Sequence, residues 1–161
     1  MGALWQSVAP RFNITTMLDN ATNLPTAPFL VRLAAMVYEL LLVVAVVFVA
    51  SFLIIPVVGE LKLPWQRHLF QGYLLVVLFA YFSAFWLRSG QTLAMKTWRI
   101  RLVTVDGGRP TLKQAALRFV VALAGLLLAG AGFWWALVDR DRQFLHDRIA
   151  GTRLVRVPRK A

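Results

Sequence analysis

Charged side chains are missing from three long stretches of this chain, residues 40–59, 69–87 and 119–138, which hold 20, 19 and 20 residues. A helix rises about 1.5 Å per residue, so each stretch is long enough to cross a hydrocarbon core of about 30 Å. The first predicted membrane helix begins near Phe29 and stops at Pro56. A short connection, residues 57–68, is broken by Gly59 and Pro64, and the second helix returns to Arg88. The second helix is rich in aromatic residues, and those near its ends suit the two membrane–water interfaces.

The pattern changes after Gly90. In residues 91–102, Leu93, Met95, Trp98 and Leu102 can share one helical face while Lys96 and Arg99 point away, which predicts an amphipathic helix lying in the interface. Residues 99–105 alternate apolar and polar as a strand does. Asp106-Gly107-Gly108 is a turn signal, and Thr111 is placed to cap the next helix. A further short helix is predicted over 143–150, closed by Gly151, and residues 153–157 alternate again. Arg101-Leu-Val-Thr-Val105 and Arg153-Leu-Val-Arg-Val157 are nearly a repeat. Two such strands can pair if they lie on one side of the membrane.

That condition bears on the third apolar segment. Its length fits a straight span, which would put the tail across the membrane from residues 99–105. Gly125, Gly130 and Gly132 instead permit a re-entrant bend that brings the tail back. Charge and the repeat favour the re-entrant form. The expected fold is thus an all-α membrane protein with two transmembrane helices, a third apolar segment (re-entrant or spanning), an interfacial amphipathic helix and two short strands able to pair. The expected division is a polar lead over 1–28, a membrane domain over 29–157 and a basic tail over 158–161.

Composition agrees with this class. The chain of 161 residues is 59% hydrophobic, with mean hydropathy +0.65, too apolar for a soluble domain of this size. The lead lacks the layout of a cleavable signal, so the first run is expected to remain as an anchor. The net charge of +11 is concentrated. Seven Lys/Arg lie in 88–118 against Asp106 alone, and seven more lie in 139–161 against three Asp. Flanking membrane segments, this excess predicts a cytoplasmic side and attraction to anionic lipid head groups. No base-reading motif accompanies it, so a nucleic-acid partner is not expected. With no cysteine and only His68 and His146, no metal site or cofactor is expected either.

Few polar groups remain to carry chemistry. Arg32 and Glu39 are seven residues apart, hence on nearly one helical face and about 10 Å apart along the axis. Arg32 can reach lipid phosphates from the helix entry. Glu39 lies deeper, where an ionised carboxylate costs roughly 3 kcal/mol or more. It is expected to be protonated or to meet a cation, either Arg32 folded inward or Arg118 at the mouth of the third run. An intramembrane acid can handle ions or protons; equally it can tie helices together. In isolation Asp147 reads as a solvated helix residue or a cap, and His146 as a surface histidine. Gln71 and Ser83 read as helix-bridging hydrogen bonders.

Arg32-Leu-Ala-Ala, Gly90-Gln-Thr-Leu-Ala-Met-Lys, Arg101-Leu-Val and His146-Asp-Arg-Ile-Ala-Gly-Thr-Arg-Leu-Val occur in the order found in the RDD family of small bacterial membrane proteins, which the chain resembles over roughly 29–157. The family is named for one arginine and two aspartates. The resemblance places Arg32 at the first of these and Asp147 at the last, and puts Glu39 where the family usually has aspartate. It implies a membrane protein, with transport of ions or small ligands for some members, and it raises Asp147 to a site candidate.

The expected function is an oligomeric transporter or transport component for protons, cations or a small ligand, with Glu39 titrating, Arg32 tuning it and Asp147 gating or anchoring. Arg118, His146 and Gln71 support them. The alternative is a non-transport interaction or assembly module holding anionic lipid or a partner protein. No enzyme activity is expected. The expected location is the bacterial cytoplasmic membrane, crossed more than once, with the N-terminus cytoplasmic and a homo-oligomer or larger complex as the working form.

Overall fold

A computed structural model describes residues 24–59, 63–128, 135 and 143–157. Two long helices dominate. Helix α1, Phe29–Val58, has 30 residues and follows Pro28. Helix α2, Pro64–Arg88, has 25 residues and starts on a proline, which suits a first turn that has no partner for its N–H groups. Both are long and apolar enough to cross a membrane. Helix α1 does not stop before Pro56 as the sequence predicts. It carries the proline in its last turn and closes at Gly59, whose N–H donates to the Ile55 carbonyl at 2.8 Å with φ 72°. A proline this near the end removes one ladder bond and leaves little helix beyond it to kink.

At the far end of α2 the chain turns sharply. Gly90, at φ 67°, donates to the Trp86 carbonyl, and its own carbonyl accepts from Leu102. Helix α3 is only Leu93–Thr97, capped by the Thr92 hydroxyl, which accepts from the Met95 N–H at 3.2 Å. The single amphipathic helix expected over 91–102 is therefore cut short. Arg99 takes a left-handed φ of 52° and reverses the chain into strand β1, Ile100–Thr104. The predicted apolar face divides accordingly: Met95 is buried, Leu93 and Trp98 are exposed, and Leu102 belongs to the strand.

The Asp106-Gly107-Gly108 turn folds back on Thr104 and leads into helix α4, Leu112–Leu127. Thr111 caps α4 as predicted, in a reciprocal pair with Gln114. Helix α4 ends inside the third apolar run. The expected glycine bend at 130 and 132 lies outside the described residues. Helix α5, Leu145–Ile149, ends at Gly151 with φ 64° and is followed by strand β2, Thr152–Arg156.

The repeated segments do pair. Strands β1 and β2 are antiparallel, with Ile100 opposite Arg156 and Thr104 opposite Thr152. The far edge of β2 is covered by the chain entering α1: Ala27 donates to Leu154 and Arg156 donates to Pro25. The core sits here, where Ala35 at the start of α1 and Trp86 at the end of α2 meet Met95, Leu102, Ala115 and Leu154. Beyond it, α1 buries only Ala50.

Candidate functional site

Two polar clusters occupy the junction between the long helices and this small core. The first is built on Glu39. Its two carboxylate oxygens accept from two hydroxyls: Tyr81 Oη donates to Oε1 at 3.1 Å, and Thr92 Oγ1 donates to Oε2. Tyr81 projects from α2, and Thr92 is the fully buried cap of α3. Neither expected arginine meets Glu39; among the described residues no Lys or Arg lies within ion-pair distance of it. Arg32 is about two helical turns away on α1 and turns into the core, and Arg118 is engaged elsewhere.

The second cluster joins α4, α5 and β2. Arg118 Nη1 forms an ion pair with Asp147 Oδ1, and both side chains are buried. The guanidinium also reaches the Thr152 hydroxyl at 3.4 Å, and that hydroxyl donates to the Asp147 carbonyl. The flat face of Arg118 lies 5.0 Å from the Trp86 ring centre, where a cation meets the negative face of an aromatic ring. Asp147 is therefore not the solvated residue that its local sequence predicts; it is 0% exposed. A carboxylate at that depth needs a cation, and α4 brings one.

His146 is also buried, against the surface position its neighbours predict. Its ring stacks on Phe144 at 5.5 Å, and its Nε2 stands 3.9 Å from Asp147 Oδ1. Burial, reinforced by the Arg118 charge, holds its pKa well below the usual histidine value. The imidazole is thus neutral, and its contact with Asp147 is polar and not an ion pair. Arg32, expected at lipid phosphates, is only 2% exposed and lies with its guanidinium 5.4 Å from the Phe144 ring centre. Phe144 thereby joins the start of α1 to the entrance of α5.

The structure thus brings Arg32, His146, Asp147 and Arg118 into one continuous cluster through Phe144, and sets Glu39 in a neighbouring one. Gln71 joins neither. Its Oε1 faces His68 Nδ1 at 3.4 Å on the exposed surface of α2. Ser83 is buried, with no hydrogen-bond partner for its hydroxyl among the described residues. Tyr81, Thr92, Trp86, Phe144 and Thr152 were not predicted. Thr92 lies within the Gly90–Lys96 motif and Thr152 within the His146–Val155 motif, the local signals available; Tyr81, Trp86 and Phe144 are ordinary aromatic residues until the fold assembles them.

Chemically the clusters differ. Arg118 and Asp147 neutralise each other inside a sealed core. Glu39 is held by two neutral hydroxyl donors, with no Lys or Arg at ion-pair distance among the described residues. Among the described residues no three His, Cys, Asp or Glu side chains are grouped to hold a metal ion.

A family model for the RDD family matches residues 26–151. The chain is also similar to an uncharacterised protein of Rickettsia prowazekii (strain Madrid E), with 36% identity over 83 residues that cover 51% of this chain and 46% of that protein. The chain spans about half the length of that relative. No solved structure matches.

Proposed function

This chain belongs to the RDD family, and from that membership and its two membrane-length helices we propose an oligomeric transport component of the bacterial cytoplasmic membrane, acting on protons, cations or a small ligand. The observation that carries this reading is Glu39: a half-buried acid on a membrane-length helix, with hydroxyls and, among the described residues, no cation around it. An acid kept in such a place, at a cost of a few kcal/mol, is most economically explained by use.

The sheet supports one topology. Helix α1 leaves the small core and α2 comes back to it. Arg88, Lys96, Arg99, Arg101, Arg109 and Lys113 all cluster at that end. The positive-inside rule then supports a cytoplasmic core and a cytoplasmic entry to α1. Pairing of β1 with β2 supports the re-entrant form of the third segment, because chain that leaves the sheet after β1 must return to it before β2. The basic end also suits anionic lipid head groups. An 18.1 kDa chain with two spans encloses no path by itself, which supports a homo-oligomer or larger complex.

The test is flux into proteoliposomes across a pH step. Wild-type protein is expected to carry a proton or cation current that Glu39→Gln abolishes while assembly persists. Equal flux from the variant removes Glu39 from the mechanism.

The second reading is an interaction or assembly module without transport. The Arg118–Asp147 pair favours it, since a sealed, mutually neutral pair has an architectural role. Under this reading, loss of Arg32, Glu39 or Asp147 lowers protein abundance, and no flux is found at all.

A further inference from the structure

An open apolar groove of about 420 Å³ runs between α1 and α2, within the size range of small-molecule sites. On α1 it is lined by Leu42, Val46, Val49 and Leu53. These positions continue the spacing from Glu39 by three, four, three and four residues, so the acid stands on the same helical face, one turn beyond Leu42. On α2 it is lined by Tyr73, Val77 and Tyr81, one turn apart each, which gives the aromatic wall a length of about 12 Å. Tyr81 is the residue that donates to Glu39, and Leu93 at the same end follows directly on Thr92, the second donor. The groove therefore has a long apolar body and two tyrosines along one wall, and the Glu39 carboxylate, which does not line it, stands one turn beyond its Leu42 end, bonded to the lining residue Tyr81.

We propose that this groove binds an amphipathic organic cation, with its apolar body between α1 and α2, its face on Tyr73 and Tyr81, and its positive centre toward Glu39. The inference deepens the transport reading, on which it rests, by naming the class of ligand. Charge complementarity selects the occupant. Glu39 has no cation within ion-pair distance among the described residues, so a ligand cation supplies the missing counter-charge. A neutral apolar molecule leaves the acid uncompensated, and an anion is repelled by it. Tyrosine rings add the attraction of their faces for a cation. An inorganic cation satisfies the charge and leaves the groove unfilled.

The probe is tritiated tetraphenylphosphonium, measured by its retention on full-length protein in phosphatidylcholine nanodiscs. Tetraphenylborate and tetraphenylsilane serve as the anion and the neutral molecule of like shape. Wild-type protein is expected to bind the cation saturably above empty nanodiscs, with neither competitor displacing it. Glu39→Gln is expected to weaken binding about tenfold or more, and so is Ala45→Trp, which fills the groove and keeps the acid. Absence of saturable binding overturns the proposal, as does equal affinity in Glu39→Gln, which points to a lipid tail as occupant. Displacement by tetraphenylsilane overturns it in the same way. Oligomer loss in Ala45→Trp together with no cation binding to wild type overturns it in favour of a second copy of the chain. The pH-step flux assay with sodium or potassium separates the two levels: Glu39-dependent flux without phosphonium binding overturns only the ligand class, whereas phosphonium binding without flux of any cation supports the site and overturns transport.

Discussion

Arg118 and Asp147 form a buried ion pair that ties helix α4 to helix α5, with the Trp86 ring of α2 stacked against the arginine. Neither charge can leave this place alone. Taking one away leaves the other buried and unpaired, and breaking a buried pair in this manner costs about 3–5 kcal/mol. Asp147→Ala and Arg118→Met are each expected to destabilise the protein by about that amount. The double variant Arg118→Met, Asp147→Leu is expected to lose much less than the sum of the two. Thermal unfolding in detergent measures all three; additive losses would show that the two side chains act independently.

His146 gives the stability a pH dependence of definite sign. Its folded pKa lies well below the ordinary value because burial and the Arg118 charge both oppose a second positive charge. In the unfolded chain the ring takes up a proton near about pH 6.5. The contribution is therefore complete above about pH 6.5 and declines as pH falls toward the folded value, by up to ~1.4 kcal/mol per pH unit. Melting temperatures at about pH 7.5 and about pH 5.5 should differ more for wild type than for His146→Gln. Identical differences would assign the acid sensitivity to other groups.

Gly90 is tightly enclosed. Its φ of 67° disfavours any side chain, and a Cβ there would stand 2.7 Å from the Leu102 carbonyl oxygen. Gly90→Ala should therefore lose more than the ~1–2 kcal/mol of the left-handed conformation alone. Gly72, in the middle of α2, has nothing within 4 Å of its missing Cβ. Gly72→Ala should stabilise by ~0.5–1 kcal/mol through helix entropy. A matched pair of melting curves distinguishes the two sites, and a neutral Gly90→Ala would mean that the turn joining α2 to α3 is built otherwise.

Strand pairing fixes which labels must behave alike. The chain has no cysteine, so single ones can be introduced cleanly. Arg101 and Arg156 are exposed on neighbouring strands. Cysteines at both positions should resist a membrane-impermeant maleimide in intact cells and react after permeabilisation. A cysteine at the exposed Trp65, at the other end of α2, should react from outside. Opposite behaviour of the first two positions would contradict the antiparallel sheet.

Much of this architecture was legible locally. A run without charge needs only its own composition to become a long helix, and α1 and α2 appear where those runs are. Thr111 and Gly151 mark helix ends through chemistry that acts within four residues. The Arg-Leu-Val repeat foretold the pairing of β1 with β2 because like patterns of alternation match face to face. The helix expected over 91–102 failed at Arg99, where a left-handed turn and the strand pattern beyond it overrode the apolar spacing.

The sequence by itself determined that this chain has two membrane-length helices, a concentrated positive end and an acid at Glu39. Each of these is a property of consecutive residues, read within one helix or one segment. Only the tertiary structure decided who compensates whom. It gave Asp147 to Arg118, turned Arg32 onto Phe144, buried His146, and left Glu39 to the hydroxyls of Tyr81 and Thr92. These partners lie tens of residues apart, and a buried charge takes whichever donor the packing delivers, a choice that no local pattern encodes.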